Sequence, residues 1–159
     1  MDSFGQLYCF GDNSVGQTNT PSDQTFLQVA SGDQHTCAIT TDQNILCWGL
    51  NDSLQAQPPV GSYTYITSGS DFSCALDENN YASCWGNISS GRGNVPSVPL
   101  QSMAAGNDHI CGIDYESNLH CWGNNENGQI SHPVGEFVNV DSGDGFSCAL
   151  DFSVLRSVP

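Results

Sequence analysis

Positive charge is the scarcest property of this chain. The chain has no lysine and only two arginines, Arg92 and Arg156, against 17 acidic residues, so its formal net charge is −15. Nucleic-acid binding depends on Lys and Arg side chains that neutralise phosphates, and the composition therefore excludes a nucleic-acid partner. It also disfavours an anionic membrane surface and favours divalent cations or basic partners.

Long apolar segments are missing as well. No run approaches the length of about 18 apolar residues that suggests a membrane-spanning helix, so we expect no membrane insertion. Residues 1–11 have neither a basic start nor an apolar stretch, and we do not expect a signal peptide there. Amphipathic helical stripes are absent, whereas 17 glycines and 7 prolines punctuate short apolar runs. That texture indicates an all-β chain.

What the chain does contain is a repeat. From Cys37 onward the cysteines alternate at gaps of 10 and 27 residues, which is a period of 37. The tripeptide Cys-Trp-Gly recurs with this period, and so does a glycine at Gly32, Gly69, Gly106 and Gly143. A period of 20–50 residues is typical of solenoids and propellers, in which each unit buries its faces against its neighbours.

Each unit is predicted to contain a hairpin closed by a disulfide. Pairing residues symmetrically about Asp42 places Cys37 opposite Cys47, and the same construction centres on Asn79 and Glu116 in the next units. Directly opposed side chains of an antiparallel pair are close enough for a disulfide with little distortion. We therefore predict the bonds Cys37–Cys47, Cys74–Cys84 and Cys111–Cys121. Free structural thiols in a cytosolic propeller are the alternative.

Consecutive apolar residues favour a propeller over a half-exposed sheet. The run Ile45 to Trp48 is apolar throughout, as expected for a strand covered on both faces. A third strand, "FLQVASG" in the first unit, precedes each hairpin. We divide the single domain, 1–159, into units at about 12–49, 50–86 and 87–123, with a composite unit made of 124–159 and 1–11.

The composite unit is suggested by a repeat that stops early. After "FSCALD" the period places a cysteine at Val158, but the missing Cys-Trp-Gly half has a counterpart in "GQLYCFG" near the start of the chain. A first strand that completes the last blade is how propellers close their ring. We therefore predict a Cys9–Cys148 bond and a propeller of four blades. A fragment of a longer array with both thiols unpaired, two chains that share a larger ring, and a stacked fibre remain as alternatives.

The cysteines also indicate a compartment. Eight cysteines at these spacings match no Cys-x-x-Cys metal pattern, and paired cysteines imply an oxidising environment. Two glycosylation sequons, Asn51-Asp52-Ser53 and Asn87-Ile88-Ser89, follow the Trp-Gly of successive units. We expect an extracellular or cell-surface glycoprotein with Asn51 and Asn87 as its acceptors.

No residue pattern indicates catalysis or a cofactor. His35 and His109 occupy a repeat position that elsewhere holds Phe72 and Phe146, so we interpret them as packing residues. Carboxylates next to the glycine turns could gather oxygen ligands for calcium; they are Asp33, Asp71, Asp108 and Asp144. Turn formation and capping explain them better, and we predict no metal, no cofactor and no enzyme activity.

At these residues the chain resembles the regulator of chromosome condensation repeat family. The segments "VASGDQHTCAITTDQNILCWGLN" and "CWGNNENGQ" carry the resemblance. The added cysteine pair is similar to that of crinkly-type receptor kinase ectodomains and bacterial secreted repeats. The resemblance implies a β-propeller, most often of seven blades, so four repeats are a departure. It also implies diverse functions, among them nucleotide exchange on chromatin, enzyme inhibition and extracellular sensing.

These observations predict a non-catalytic extracellular interaction or structural module. Binding would use the variable loops 12–25, 50–62, 87–99 and 124–136, with a protein or glycan partner or self-association. The loops hold no aromatic residue, and aromatic side chains dominate binding hot spots. A glycosylated subunit of a cell-surface coat or fibre is therefore an alternative, and a protein-binding inhibitor or receptor ectodomain is another.

Overall fold

The computed structural model describes residues 5–152, which form eleven β-strands and no α-helix. The strands are β1 (Phe26–Ser31), β2 (His35–Thr40), β3 (Ile45–Gly49), β4 (Tyr63–Ser68), β5 (Phe72–Asp77), β6 (Ala82–Gly86), β7 (Leu100–Ala105), β8 (His109–Asp114), β9 (Leu119–Gly123), β10 (Phe137–Ser142) and β11 (Ser147–Asp151). No helix in residues 5–152 has the length and apolar character to span a membrane.

The strands form four antiparallel sheets that are blades of a β-propeller. Three sheets have three strands each, in the orders β1-β2-β3, β4-β5-β6 and β7-β8-β9, and the fourth consists of β10 and β11. We call these sheets unit 1 to unit 4 in chain order. The finer boundaries of the units remain a prediction, but units 1 to 3 each hold one complete sheet.

The hairpin of each complete unit has the register expected from the sequence. In unit 1, Cys37 pairs with Cys47 across β2 and β3. The turn between these strands requires a left-handed residue, Gln43, whose φ is 63°. Three disulfides are present, Cys37–Cys47, Cys74–Cys84 and Cys111–Cys121, each with a Cα–Cα distance of 4.1 Å. That separation is typical of a non-hydrogen-bonded antiparallel pair.

The hydrophobic core is divided into three clusters, each lying between successive units. Ile39 of unit 1 packs with Ile66 of unit 2, and Leu76 of unit 2 packs with Met103 of unit 3. Ile113 of unit 3 belongs to the third cluster, with residues of unit 4. The middle strands β2 and β8 are therefore buried along their whole length. The apolar run Ile45 to Trp48 lies instead in the outer strand β3, where Ile45 is buried and the other residues are half-buried.

The first strand of each unit lies innermost, and its glycine turn touches the next unit. A Cβ atom on Gly32 would lie 2.5 Å from the carbonyl oxygen of Gly69, and one on Gly69 would lie 2.6 Å from that of Gly106. Only glycine permits this approach of one backbone to another. The turns of all four units line one shallow central cavity of about 260 Å³.

The predicted Cys9–Cys148 bond is wrong for the folded single chain. Both cysteines are free thiols. Residues 5–11 lie against unit 1, where the carbonyl of Gly5 accepts a hydrogen bond of 2.8 Å from the amide of Phe26. Within residues 5–152, the hydrogen bonds between units join each unit only to its neighbour in the chain, and none joins unit 4 to unit 1. The remaining positions of the composite unit, including Arg156 and Val158, lie outside the described residues.

Candidate interaction surfaces

The surfaces between successive units, which we call seams, differ in polarity. At seam 1–2, His35 is 1% exposed and its Nε2 is hydrogen-bonded to Ser73 Oγ at 2.8 Å. At seam 3–4, His109 is 0% exposed and its Nε2 is 2.7 Å from Ser147 Oγ. Phe72 occupies the same position at seam 2–3 and packs in one apolar cluster with Ile110. The interpretation of the two histidines as packing residues thus agrees with their burial.

Burial keeps both histidines neutral near pH 7. It lowers the pKa of His35 to about 4, against a smaller opposing effect of the Asp71 charge. Burial also lowers the pKa of His109, with Asp108 and Asp144 opposing. The second ring nitrogen, Nδ1, of each histidine is buried without a hydrogen-bond partner. Neither imidazole is placed to exchange protons with a substrate.

Arg92 ties unit 2 to unit 3. Its side chain is 4% exposed, and Nη1 lies 2.9 Å from Asp71 Oδ1 and 2.7 Å from Asp108 Oδ1. The guanidinium carbon also lies 5.3 Å from the centre of the Phe72 ring. The side chain and backbone of Ser89 accept two further hydrogen bonds from Arg92. The one arginine among the described residues is therefore a structural cation and is not presented to a partner.

Arg92 replaces a glutamine that recurs in the other loops. Gln17, Gln55 and Gln129 hold the same repeat position and are buried, and each accepts the amide hydrogen of the residue two places before it through Oε1. The backbone carbonyls at this position anchor tryptophans: Trp85 Nε1 donates to Gln55 at 3.0 Å, and Trp122 Nε1 donates to Arg92 at 3.1 Å. The variable loops thus share one buried anchor.

The four aspartates beside the glycine turns do not converge on one point. Asp71 and Asp108 bind Arg92, and Asp144 accepts a 2.7 Å hydrogen bond from Asn107 Nδ2. Asp33 is exposed. Within residues 5–152 no group of three or more acidic, His or Cys residues is arranged to hold a metal ion. The interpretation of these aspartates as turn residues agrees with these contacts.

The two glycosylation sequons differ in geometry. Asn51 is exposed, its Oδ1 accepts the amide hydrogen of Ala56 at 3.0 Å, and its Nδ2 has no hydrogen-bond partner among residues 5–152. Asn87 is half-buried, and its Nδ2 donates a 2.7 Å hydrogen bond to Asp71 Oδ2. A glycan on Asn87 would have to replace this bond, whereas a glycan on Asn51 would extend into open solvent.

Two end faces are exposed, one on unit 4 and one on unit 1. On β11 and the residue before it, Phe146 is 61% exposed and Leu150 is 54% exposed. At the other end, Phe10 is 92% exposed, Tyr8 is 78% exposed and Val29 of β1 is 42% exposed. The equivalents of Phe146, Leu150 and Val29 at internal seams are buried, among them Phe72, Leu76 and Ile66. Units 1 and 4 therefore each present an uncovered blade surface within residues 5–152.

The pairs His35–Ser73 and His109–Ser147 were not anticipated from the sequence, although the sequence contains a signal for them. The partner lies 38 residues after each histidine, one period plus one residue. The same offset from Phe72 reaches an apolar residue, Ile110. The sequence signal for the Arg92 ion pairs is weaker. It consists only of an arginine at the repeat position where the other loops have glutamine.

The chain is similar to known repeat proteins along most of its length. Residues 26–55, 63–92 and 101–129, together more than half of the chain, match the regulator of chromosome condensation (RCC1) repeat. No curated protein sequence matches the chain.

Solved propellers resemble the structure closely. The entire ectodomain of the receptor kinase CR4 from Physcomitrella patens superposes with a TM-score of 0.78 at 27% identity, over 91% of this chain and 44% of that one. The CRINKLY WD40 ectodomain of ACR4 from Arabidopsis thaliana gives 0.77 at 24% identity, over 91% and 58%. Prp20p from Saccharomyces cerevisiae gives 0.73 at 19% identity, over 84% and 44%.

The chain thus spans about half the length of these solved proteins. The matched segments coincide with the three complete sheets, and each begins at or next to the first strand of its unit. The repeat match, supported by this agreement, shows that the chain belongs to the RCC1 repeat family.

Proposed function

We propose that this chain is a non-catalytic interaction or structural module that works outside the cell. The observation that carries the proposal is the set of three disulfides, one in each complete blade, whose β2, β5 and β8 cysteines are 0% exposed. The similarity to two receptor kinase ectodomains supports the same compartment.

The energetics explain why buried disulfides bear on location. Each bond closes a loop with a sequence separation of 10 residues, which is worth roughly 3 kcal/mol on the chain-entropy model. A small domain has a total stability of only about 5–15 kcal/mol. A chain that relies on three such bonds is suited to an oxidising environment and would be weakened in a reducing one.

A thiol count with a melting curve tests this proposal. Chain produced through a secretory pathway should contain two free thiols, those of Cys9 and Cys148, and should lose 10 °C or more in Tm when it is reduced. The variant C9S/C148S should contain no free thiol and melt like the wild type. Six or more free thiols in the native protein, with a Tm indifferent to reductant, would contradict an extracellular module.

The charge of the chain supports a basic protein partner. The net charge is −15, and Arg92 is already held between two aspartates. Such a surface attracts cationic ligands and repels polyanions. Prp20p, a protein of the same fold, has been studied for its binding to Gsp1p and histones, so the fold is compatible with protein recognition.

Titration with a lysine-rich peptide at two salt concentrations tests this attraction. Binding should weaken steeply between about 50 and 200 mM salt because surface charges are screened. The same titration compares the binding of two double variants. D33N/D144N changes the turns around the central cavity, and D42N/E78N changes the hairpin turns. Salt-independent binding would show that charge does not select the partner.

A second candidate, a glycosylated subunit of a coat or fibre, is favoured by the geometry of Asn51. Its Nδ2 has no partner in the part of the chain that the structure describes, and its side chain is exposed. In a eukaryotic secretory host, N51Q should abolish most of the mass shift that N-glycosidase causes, whereas N87Q should change it little. A shift that survives N51Q and disappears in N87Q would reverse the assignment, and no shift in the wild type would eliminate this candidate.

A further inference from the structure

The three blade disulfides share one position in the repeat but have different neighbours. In each of them the middle-strand cysteine is 0% exposed and the outer-strand cysteine is half-buried. The sulfur of Cys37 lies 3.5 Å from the hydroxyl oxygen of Ser73 in unit 2. Cys111 has the equivalent contact, at 3.4 Å, with Ser147 in unit 4. Two of the three buried sulfurs therefore face a hydroxyl across a seam.

The disulfide of unit 2 faces an isoleucine instead. Ile110 holds the repeat position of Ser73, and it packs with Cys74 in the apolar cluster of seam 2–3. Apolar burial disfavours the charged thiolate form of cysteine, whereas a hydrogen bond donated to the thiolate favours it. The seams thus divide the buried sulfurs into two chemical classes.

The hydroxyl hydrogen of Ser73 is available to the sulfur. His35 Nδ1 is buried without a partner among residues 5–152, so the tautomer that leaves no N–H donor unpaired carries its hydrogen on Nε2. Nε2 then donates this hydrogen to Ser73 Oγ at 2.8 Å. Ser68 Oγ, also 2.8 Å from Ser73 Oγ, can donate to the second lone pair. Ser73 then donates its own hydrogen toward Cys37 Sγ.

At seam 3–4 the equivalent hydroxyl has a second acceptor. Ser147 Oγ is bonded to His109 Nε2 at 2.7 Å, but it also donates to the carbonyl of Gln129 at 3.2 Å. A hydroxyl carries one hydrogen, so the bond to Gln129 competes with the contact to Cys111. We therefore expect this serine to support a thiolate less well than Ser73 does.

We propose that Cys37–Cys47 is the redox-sensitive bond of this chain, opened by a dithiol reductant in preference to the other two blade disulfides. Disulfide exchange is faster when the leaving sulfur is stabilised as a thiolate. Cys37 is that leaving sulfur, because the half-buried Cys47 is the one that a reductant can reach. Ser73 supplies the hydrogen bond that Cys37 needs as it leaves.

The exchange takes place in two steps. A reductant thiolate attacks Cys47 Sγ, the Cys47–Cys37 bond breaks, and Cys37 leaves as a thiolate that takes up a proton. The resulting thiol can donate to the carbonyl oxygen of Gln55, 3.8 Å from Cys37 Sγ. The second sulfur of the reductant then attacks the first and releases Cys47. The reductant becomes a cyclic disulfide, and its two electrons and two protons end on the two cysteines.

Opening this bond acts on one seam at a time. The hairpin of β2 and β3 loses its covalent link beside seam 1–2, while units 2 and 3 keep theirs. The blades should therefore open in a fixed order, with unit 1 first, unit 3 second and unit 2 last.

Partial reduction under native conditions tests the proposal. The variant C9S/C148S, in which every remaining cysteine belongs to a blade disulfide, is treated with dithiothreitol, sampled over time and alkylated. Peptide mass spectrometry measures the reduced fraction of each bond. We expect Cys37–Cys47 to open at least about fivefold faster than Cys74–Cys84, with Cys111–Cys121 between them. Equal rates, or Cys74–Cys84 opening first, would overturn the proposal.

Two sets of variants in the same background separate the hydroxyl from a change in seam packing. S73A leaves His35 without its acceptor, so a looser seam would speed the reduction of Cys37–Cys47, whereas the lost hydrogen bond to the thiolate should slow it at least about threefold. I110T and I110V have nearly the same shape and differ by a hydroxyl. We expect Cys74–Cys84 to open at least about threefold faster in I110T than in I110V. A rate in S73A at or above that of the starting protein would overturn the proposal, and so would equal rates in I110T and I110V.

Discussion

Seam 2–3 and its two neighbours perform the same packing task with different chemistry. Seams 1–2 and 3–4 place a neutral histidine against a serine hydroxyl. Seam 2–3 places Phe72 in an apolar cluster and adds the ion pairs of Arg92. The alternation shows that all seams share one backbone geometry. The dependence of stability on pH and salt, in contrast, should differ from one seam to the next.

The largest difference should come from removing the aromatic ring at the apolar seam. Phe72 is 0% exposed, whereas Phe146 at the same repeat position is 61% exposed. We expect F72A to lose about 3–5 kcal/mol of unfolding free energy through lost contacts and a cavity. F146A should lose less than about 1 kcal/mol. Urea unfolding of the two variants at neutral pH measures this, and equal losses would show that unit 4 is covered in solution.

Acid should distinguish the polar seams from the apolar one. The pKa of His35 is about 4 in the folded chain against 6.5 when exposed, so the unfolded chain binds the proton first. The stability contributed by neutral His35 is present above pH 6.5 and is lost as the pH falls toward 4. We expect a loss on the order of 1–3 kcal/mol across this window, with His109 contributing in the same direction.

The double variant H35F/S73I converts seam 1–2 to the residues of seam 2–3. It should reduce the slope of stability against pH between 6.5 and 4 by about half, and adding H109F/S147I should remove most of the rest. Unfolding followed at several pH values provides the measurement. An unchanged slope in the fourfold variant would show that other groups cause the acid sensitivity.

Replacing Arg92 by the glutamine of the other units should have a smaller effect that depends on salt. In R92Q the carboxylates of Asp71 and Asp108 lose their shared cation, but they are 33% and 47% exposed, so solvent screens them. We expect a loss of about 1–2 kcal/mol at low salt, part of which added salt restores. D33N, an exposed change, should stay within about 0.5 kcal/mol. Equal stability of R92Q and D33N at low salt would contradict a structural role for Arg92.

The smallest predicted effect on stability comes from the hydrogen bond between His120 and Asp114 within unit 3. Burial tends to raise the pKa of Asp114, but hydrogen bonds from His120, Asn118 and Glu116 outweigh it and lower the pKa to about 2. The ionised carboxylate therefore stabilises the fold above pH 3.8, and this contribution is lost as the pH falls through 2.

Unit 1 has Leu46 where unit 3 has His120, which makes H120L the matched variant. A carboxyl NMR titration should show the Asp114 pKa rising by less than one unit, with a stability loss below about 1 kcal/mol. No change in this pKa would assign the effect to the backbone amides alone.

Features within one repeat could be predicted from the sequence, because their partners are close in the chain. The opposition of Cys37 and Cys47 needed only a hairpin centred on Asp42. The apolar run Ile45 to Trp48 was a poorer guide, because it lies in the outer strand β3, which is mostly half-buried. Contacts between repeats were harder to predict. The Cys9–Cys148 prediction assumed that unit 4 meets unit 1. That contact depends on the angle between blades, which no single repeat encodes.

The Arg92 ion pairs show the same limit at the scale of one side chain. An arginine in a strongly acidic chain is readily taken for a surface residue. The burial of Arg92 depends on two aspartates from different units, 21 residues before it and 16 after it. The exposure of Asn51 and the engagement of Asn87 likewise depend on loop contacts that identical sequons do not reveal.

The backbone contact between Gly32 and Gly69 has a wider consequence. Because the peptide of one turn rests directly on the peptide of the next near the axis, no side chain there can act as a spacer. The tilt from blade to blade is therefore governed by the thickness of the main chain on the inside and by the width of the packed side chains on the outside. In such an arrangement, evolution could change the diameter of an assembled ring by resizing the outer core while leaving the glycines untouched.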